Sequence, residues 1–268
     1  MEALTWLLSG VVGLVLLIAI VGPLVAPYDP TAADLAFANA GPSLAHPLGL
    51  DSQGRDLLSR LLSGARSALL GPALAVLISV VLGTTLAIVA SWARGWIDAA
   101  ISTCVDIAFA FPSIILAILA AAVFGPGLLA PSIALAIGYT PYFARILRSA
   151  SLQERVLPYI AALELQGFSA VRIGLRHLLP NLVPLIAAQS TVVFGYAILD
   201  FAGVSYLGLG VQPPDADWGA MISGGQLALL QGNPAESLSA GIAVIVTVVA
   251  VNLLGERLAD WRSGGSRG

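Results

Sequence analysis

The sequence predicts an all-α membrane protein with six membrane-spanning helices, and two observations support this prediction. The first is composition: hydrophobic residues make up 58% of the 268 residues and charged residues only 10%, against about 45–50% and about 25% in soluble domains. The second is a series of charge-free runs, since a spanning helix needs about 20 mostly apolar residues. Too few polar side chains remain for a soluble enzyme or a disordered protein. A net charge of −3 provides no basic face for nucleic acid.

The charge-free runs locate each span in order along the chain. The predicted spans are residues 6–26, 67–93, 104–123, 129–147, 183–205 and 237–255. The third and fourth come from one charge-free run over 107–144, which is too long for one helix and contains a Gly-Pro-Gly turn signal at 125–127. The chain is thereby divided into an N-terminal helix (1–26), an outer segment (27–66), a core of five helices (67–258) and a C-terminal tail (259–268).

The arginines predict the orientation of these spans, because membrane proteins concentrate basic residues in their cytoplasmic segments. With both termini in the cytoplasm, nine of the twelve arginines lie on the cytoplasmic side. The other three, Arg55, Arg60 and Arg66, lie in the outer segment. We therefore expect both termini to be cytoplasmic.

Two outer regions carry further expectations. In the first, Leu57, Leu58, Leu61 and Leu62 recur at helical spacing with Arg and Asp on the other face. This pattern predicts a short amphipathic helix lying on the outer membrane surface. The second, residues 218–235, is uncharged and Gly-rich, and one interpretation is that it dips into the membrane from outside.

The cytoplasmic segment over 148–182 predicts a helical hairpin. Pro158 suits the first turn of a helix and Gly167 the position just beyond its end. Ser169 then suits the cap of a second helix, which Pro180 is expected to stop. The first helix is too short and too polar to span the membrane, so we expect its apolar side to dock on another protein. A plain connecting loop is the alternative.

This hairpin resembles the signature loop of the permease subunits of bacterial ABC importers. That loop has Glu-Ala-Ala, three residues, Gly, nine residues, Ile, one residue and Leu-Pro. The matching residues here are Ala161-Ala162-Leu163, Gly167 and Leu179-Pro180. Two positions depart from the pattern, because Ala161 replaces the Glu and His177 replaces the Ile.

Further motifs resemble the dipeptide/oligopeptide/nickel branch of this family. They are His46-Pro47-Leu48-Gly49, Gly54-Arg55-Asp56, Gly95-Trp96-Ile97-Asp98 followed by Asp106 and Pro112, and Ser205-Tyr206-Leu207-Gly208-Leu209-Gly210-Val211-Gln212-Pro213-Pro214 followed by Trp218-Gly219. The last stretch is similar to the C-type member of the permease pair. The resemblance runs from about residue 20 to 258 and implies an ABC importer permease fold with a cytoplasmic coupling hairpin.

The resemblance implies one part of a larger machine in the bacterial cytoplasmic membrane. The expected partners are a second homologous permease, two cytoplasmic ATP-binding subunits, an extracytoplasmic substrate-binding protein and the lipid bilayer. This chain is then a non-catalytic subunit that binds no cofactor, while its partners use ATP and Mg. The sequence agrees, because a chain without Lys cannot contain a Walker G-x-x-x-x-G-K-[ST] loop. Short peptides are the expected cargo, with nickel chelate, haem or glutathione as alternatives.

The resemblance and the residues' positions together predict roles for individual residues. The expected ATPase-coupling residues are Tyr159, Ile160, Ala161, Ala162, Leu163, Glu164, Leu165 and Gly167. The residues expected to be structural are Asp106, Pro112, Pro180, Gly208 and Gly210. For Asp106 we expect a partner such as Arg94 or an arginine of the hairpin.

Asp200, Tyr206 and Gln212 are assigned to the translocation pathway or its gate. A carboxylate at membrane depth is costly and usually faces a cavity or a partner. Asp200 therefore has two interpretations, a pathway charge that contacts a peptide's amino terminus or a structural hydrogen bond. Trp218 is interpreted as an anchor at the membrane interface. No Cys/His cluster has metal-ligand spacing, so no metal is expected.

A secondary transporter, driven by ions or protons, is the alternative from a different functional class. Such proteins usually contain inverted repeats and broken or charged helices at the membrane midplane. The sequence has no convincing repeat, and Asp106 and Asp200 are the only carboxylates within its predicted spans. A secondary transporter also leaves the cytoplasmic hairpin without a role.

Overall fold

The computed structural model describes residues 2–93 and 95–264, and this part of the chain is all-helical. The helices in chain order are α1 (Glu2–Val25), α2 (Leu57–Ala93), α3 (Gly95–Phe109), α4 (Ser113–Phe124), α5 (Leu129–Arg155), α6 (Pro158–Leu165), α7 (Ala170–Ile173), α8 (Leu179–Tyr206), α9 (Trp218–Gly224), α10 (Gln226–Leu230) and α11 (Ala235–Gly264). A 3₁₀ turn covers Leu35–Phe37, and a π-helical turn over Gly174–Leu178 joins α7 to α8.

Four helical stretches are long and apolar enough to cross a membrane. They are Leu4–Val25, Leu57–Ala93, Ala170–Tyr206 and Ala235–Arg257. The bent pair α3 and α4 provides a fifth candidate. The remaining predicted span falls in α5, a 27-residue helix whose C-terminal half carries Arg145, Arg148 and Arg155 and is less apolar. The count of six spans stays a prediction.

The predicted single helix over 104–123 is wrong. In the structure α3 ends at Phe109, α4 begins at Ser113, and the two are bent by 79°. Pro112 occupies the cap position of α4. Proline supplies no N–H to a helix, and it disfavours helical dihedrals in the preceding Phe111. The break therefore occurs at Pro112, which lies inside the predicted span.

The separate amphipathic helix predicted in the outer segment is also wrong. Leu57 instead begins the 37-residue helix α2, which continues to Ala93. The charged face does not meet water, because Arg55, Asp56 and Arg60 are only 3–5% exposed. Loops from distant parts of the chain cover it: Arg60 donates hydrogen bonds to the carbonyls of Pro30 and Pro214.

Helices α2 and α5 form the centre of the bundle and pack closely against each other. Gly83 of α2 makes this approach possible, because a Cβ atom there would collide with Phe143 of α5. A second core region joins α2, α8, α9 and α11. It includes Trp218, which is 4% exposed and donates its indole N–H to the Leu61 carbonyl at 2.9 Å. Trp218 is therefore a core residue, and its interpretation as an interfacial anchor is wrong.

Residues 218–235 fold as the two short helices α9 and α10. Both pack against α11, and α9 also contacts α8. Met221 and Ala228 are buried in these contacts. The segment is thus folded against the C-terminal end of α8 and the N-terminal end of α11.

Candidate functional site

The hairpin forms with the local signals that its sequence contains. Pro158 occupies the first turn of α6, and Gly167 adopts a left-handed φ of +81° directly after its end. Such a φ strains residues that carry a Cβ atom, which accounts for the glycine. The Ser169 side chain accepts the N–H of Arg172 and caps α7. The predicted helix–Gly–helix hairpin is confirmed at these positions.

The prediction that Pro180 stops the second helix is wrong. Pro180 lies in the first turn of α8, so the hairpin runs without interruption into a long helix. The π-helical turn over Gly174–Leu178 precedes it. A π turn shifts the backbone hydrogen-bonding register locally, and proline is tolerated in a first turn because that N–H needs no intrahelical partner. Pro180 therefore marks the start of α8.

The short helix α6 has one buried side and one exposed side. Ile160 is buried at 1% exposure and Leu163 is half-buried, whereas Leu165 is 90% exposed. Ala161, Ala162 and Glu164 are also exposed. The flanking segments present further apolar side chains to the surroundings, namely Val156, Val171 and Leu175. The hairpin thus exposes apolar side chains while one isoleucine anchors it to the bundle.

A hydrogen-bonded triad attaches the start of α6 to α5 and α8. The Tyr159 hydroxyl donates to Glu154 Oε1 at 2.7 Å, and the Asn181 amide donates to the same oxygen at 2.7 Å. Asn181 also donates to the Tyr159 hydroxyl at 3.0 Å. Partial burial and the adjacent Glu154 carboxylate raise the pKa of Tyr159 to about 12, so it stays a neutral donor at physiological pH.

Asp200 connects three helices. Its Oδ2 atom accepts hydrogen bonds from Ser113 of α4 at 2.6 Å and from Tyr139 of α5 at 2.7 Å. Gly138 allows this approach, because a Cβ atom there would collide with Ser113. The geometry provides the partners that the structural interpretation of Asp200 requires.

Tyr206 and Gln212, the other two residues assigned to the pathway, lie near the C-terminal end of α8 and form hydrogen bonds to other partners. The Tyr206 hydroxyl donates to Gln226 Oε1 at 3.2 Å. Gln212 donates to the carbonyls of Gly208 and Gly210 at 3.0 and 2.9 Å and so closes the turn after α8. Gln212 and Arg66 line an open cavity of about 710 Å³ on this side of the protein.

Two Arg–Asp pairs hold α3 against α5. Arg148 donates two hydrogen bonds of 2.6 Å to the carboxylate of Asp98. Arg145 donates one of 2.6 Å to Asp106, and both side chains of that pair are exposed. The partner of Asp106 is therefore an α5 arginine outside the hairpin, and Arg94 lies outside the described residues.

A buried ion cluster at the start of α2 was not predicted. Asp51 is fully buried, and its Oδ2 lies 2.6 Å from Arg55 Nε and 3.3 Å from Arg60 Nε. Asp56 contacts His46 Nδ1 at 2.9 Å and accepts two hydrogen bonds from Ser59. The cluster connects the outer segment to the start of α2. Within the described residues, no three His, Cys, Asp or Glu side chains converge as metal ligands do.

Comparisons with protein families give two matches. The family described as binding-protein-dependent transport system inner membrane component matches residues 79–263. The family described as N-terminal TM domain of oligopeptide transport permease C matches residues 6–42. The first match begins within the second half of α2 and extends through the later helices, including the hairpin.

Several relatives are similar over most of their length. A glutathione transport system permease protein of Pectobacterium atrosepticum is 40% identical over 83% of this chain and 73% of its own. A dipeptide transport system permease protein of Alkalihalophilus pseudofirmus is 38% identical over 93% of this chain and 84% of its own. Among solved structures, an inward-facing MetNI methionine ABC transporter matches 74% of this chain and 94% of its own, with a TM-score of 0.60 and 20% identity. That last likeness concerns the fold alone.

Proposed function

The chain belongs to the family of binding-protein-dependent transport system inner membrane components, and we propose that it is a pathway-forming subunit of an ATP-driven importer of short peptides. The names of its relatives support this cargo, because one is a dipeptide permease protein and another a glutathione permease protein. Glutathione is itself a tripeptide and is the second candidate cargo.

The importer that we propose contains several chains. This subunit pairs with a second homologous permease to form the pathway, and an extracytoplasmic protein delivers the cargo. This chain contains no lysine and therefore has no Walker loop of its own to bind ATP. In the proposed machine, two cytoplasmic subunits bind and hydrolyse ATP with Mg. The chain is then a non-catalytic part of the machine and binds no cofactor itself.

The observation that carries the coupling role is the contrast between the two sides of α6. Leu165 is almost fully exposed, whereas Ile160, Tyr159 and Glu154 secure the helix to the bundle. A helix attached on one side and apolar on the other suits a partner that pushes on it. When the ATP-binding subunits close, α6 moves with them and the bundle rocks between inward-open and outward-open states.

The residues assigned to the pathway divide into two groups in this proposal. Asp200 maintains the contact among α4, α5 and α8 through its bonds to Ser113 and Tyr139. Tyr206 and Gln212 lie at the mouth of the pathway on the outer side, where Gln212 borders the 710 Å³ cavity. The alternative role of Asp200, contact with a peptide's amino terminus, predicts that its charge is needed for transport.

Substitution of one exposed leucine tests the docking role. Leu165→Asp places a charge on the proposed docking side but leaves the isolated chain's core intact, because Leu165 is 90% exposed. Burying that charge at an interface costs several kcal/mol, so co-purification of the ATP-binding subunits should fall about 10-fold or more. Leu230→Asp is the matched control, since Leu230 is 79% exposed on α10, far along the chain from the hairpin. Equal recovery of the ATP-binding subunits with the Leu165 variant and the wild type would contradict the docking role.

Reporter fusions test the proposed orientation in the bacterial inner membrane. A fusion at Gly167, in the hairpin turn, should report a cytoplasmic location. A fusion at Gly232, in the turn after α10, should report the opposite side. The nine-to-three distribution of arginines motivates both expectations. A cytoplasmic signal at Gly232 would reverse the orientation and remove the docking proposal with it.

Competition for uptake tests the cargo. The complete complex in liposomes, with ATP and the binding protein, should import a labelled dipeptide. Unlabelled dipeptide should compete strongly, and glutathione should compete only if the second candidate is correct. Competition by haem or a nickel chelate, but not by peptides, would contradict peptide import.

A further inference from the structure

Arg155, the last residue of α5, lies where α2 meets the hairpin. Its guanidinium carbon is 4.0 Å from the centre of the Trp92 ring, and one of its N–H groups donates to the Ser91 carbonyl. Ser91 and Trp92 belong to the last turn of α2. A second guanidinium nitrogen lies 3.9 Å from Glu164 of α6. One side chain therefore contacts the end of α2 and the short helix of the hairpin.

These contacts differ in strength. The Arg155 side chain is only 9% exposed, and an Arg stacked on an aromatic ring gains most when both are shielded from water. The Glu164 side chain is 49% exposed, and half-exposed ion pairs contribute little. The firm link from Arg155 to α6 is covalent, because only Val156 and Leu157 separate Arg155 from Pro158.

The other half of the hairpin also rests on Trp92. Gly174, at the start of the π-helical turn, faces the last two turns of α2, and a Cβ atom there would lie 3.6 Å from Trp92 Nε1 and 3.3 Å from Ile88. Trp92 is therefore held between the end of α5 and the π turn. Close-packed groups of this kind move together, since interiors transmit displacement rather than absorb it.

We propose that Arg155 and Trp92 form a joint that makes the cytoplasmic end of α2 follow the movement of α6. The inference rests on the proposed coupling function of the hairpin. Both are positioning residues, because the joint acts through α2, which is packed against α5 and α8 at the centre of the bundle. The Glu154–Tyr159–Asn181 triad connects the hairpin separately to α8. The joint is therefore proposed to transmit movement of the hairpin to α2 alone.

Distance measurements between spin labels test the joint without knowledge of the cargo. In the complete complex with Cys104→Ala, labels replace Val89 on α2 and Gln166 after α6, both exposed. We expect this distance to stay constant within about 2 Å between the nucleotide-free and ATP-bound states, the scale of a packed helix shift. In Arg155→Lys the distance should change on ATP binding, because lysine keeps the charge but lacks the planar group that stacks.

A reference pair at Gln166 and Gln231 reports whether the hairpin moves at all. A reference distance that never changes contradicts the coupling function itself. A reference distance that changes, together with a changing Val89–Gln166 distance in the wild type, contradicts only the joint. A constant Val89–Gln166 distance in Arg155→Lys also contradicts the joint.

Transport per ATP gives an independent measure. Arg155→Lys and Trp92→Leu should still assemble and hydrolyse ATP, but uptake of a labelled dipeptide per ATP should fall about 5-fold or more, a typical coupling factor. Trp92→Phe keeps an aromatic face and should retain most of the uptake. Arg172→Lys is the matched control, because Arg172 stacks on Phe168 at 4.3 Å inside the hairpin. Uptake per ATP within two-fold of the wild type for Arg155→Lys would overturn the proposal.

Discussion

The Tyr139 hydroxyl donates a 2.7 Å hydrogen bond to Asp200 Oδ2, and the same oxygen accepts a 2.6 Å bond from Ser113. One carboxylate oxygen thus joins α4, α5 and α8. Tyr139 precedes Pro141 of α5 by two positions, and Ser113 follows the bend between α3 and α4. The carboxylate therefore connects the three helices close to the α3–α4 bend and to Pro141.

Substitutions of Asp200 separate a structural role from a role in transport. Asp200→Asn keeps an acceptor for Tyr139 and Ser113, so the complex should assemble and import peptides. Asp200→Ala leaves both donors without an acceptor, which costs about 1–3 kcal/mol and should lower the yield of assembled complex. Asp200→Glu keeps the charge and should be mild. Yield is measured by co-purification and import by labelled dipeptide.

The control for the Asp200 series is Asp215→Asn, since Asp215 is an exposed carboxylate in the loop after α8. It should leave the yield of assembled complex unchanged. An Asp200→Asn complex that assembles fully but fails to import would favour the pathway charge over the structural bond.

Loss of Arg60 should destabilise the protein strongly. Arg60→Met leaves the fully buried Asp51 with one arginine partner and frees the carbonyls of Pro30 and Pro214. Removing one side of a buried ion pair costs about 3–5 kcal/mol, measurable as a lower Tm in detergent. Arg66→Met, six residues further along the same helix but exposed, should change the free energy of unfolding by no more than about 0.5 kcal/mol. Equal Tm values for the two variants would mean that the buried cluster does not stabilise the fold.

Asp217 should make stability depend on pH. Its side chain accepts the N–H groups of Gly219 and Ala220 and caps α9, yet burial raises its pKa above the ordinary value. A raised pKa in the folded state means that stability is greatest below about pH 3.9 and falls as pH rises through the folded pKa. Asp217→Asn keeps an acceptor for the cap without ionising. The Tm of the wild type should therefore fall relative to that of Asp217→Asn between about pH 4 and pH 8.

The exposed Asp215 again supplies the comparison for this experiment. The Tm curve of Asp215→Asn should run parallel to that of the wild type across the whole pH range. If the Tm curve of Asp217→Asn also runs parallel to that of the wild type, ionisation of Asp217 does not destabilise the folded protein, and the prediction is wrong.

Gly167→Ala should loosen the hairpin through its backbone alone. No atom lies within 4 Å of the added Cβ, but φ is +81°, and a left-handed residue with a Cβ costs about 1–2 kcal/mol. Asn tolerates this conformation better, so Gly167→Asn should be milder. Limited proteolysis at the hairpin should rank wild type, Asn and Ala in order of increasing cleavage. Gly10→Ala, in open surroundings on α1 with an ordinary φ, should leave the hairpin's cleavage unchanged.

The hairpin could be predicted because its signals are local. Pro158, Gly167 and Ser169 each act on the backbone within one turn, so their effects are visible in a short stretch of sequence. The prediction for Pro180 was wrong because a proline can either end one helix or begin the next. The π-helical turn before it carries no signal in residue type that would distinguish these outcomes.

The buried outer cluster could not be predicted because its cover comes from far along the chain. The alternation of Leu with Arg and Asp over residues 55–62 is the same for a helix on a membrane surface and for one whose charges face inward. The two cases differ in the hydrogen bonds that Arg60 donates to the carbonyls of Pro30 and Pro214, which lie 30 and 154 residues away in the sequence. Likewise, Asp106 finds its arginine 39 residues away.

Helix α2 has the outer cluster at one end and the Trp92 joint at the other, and this sets a constraint on its length. Each residue of an α-helix advances about 1.5 Å and turns about 100°. Inserting or deleting one residue between Arg60 and Trp92 would rotate one end of α2 against the other, so that both side chains could no longer face their partners at once. The length of α2 is therefore constrained: only insertions or deletions close to a whole number of helical turns would leave both ends facing their partners.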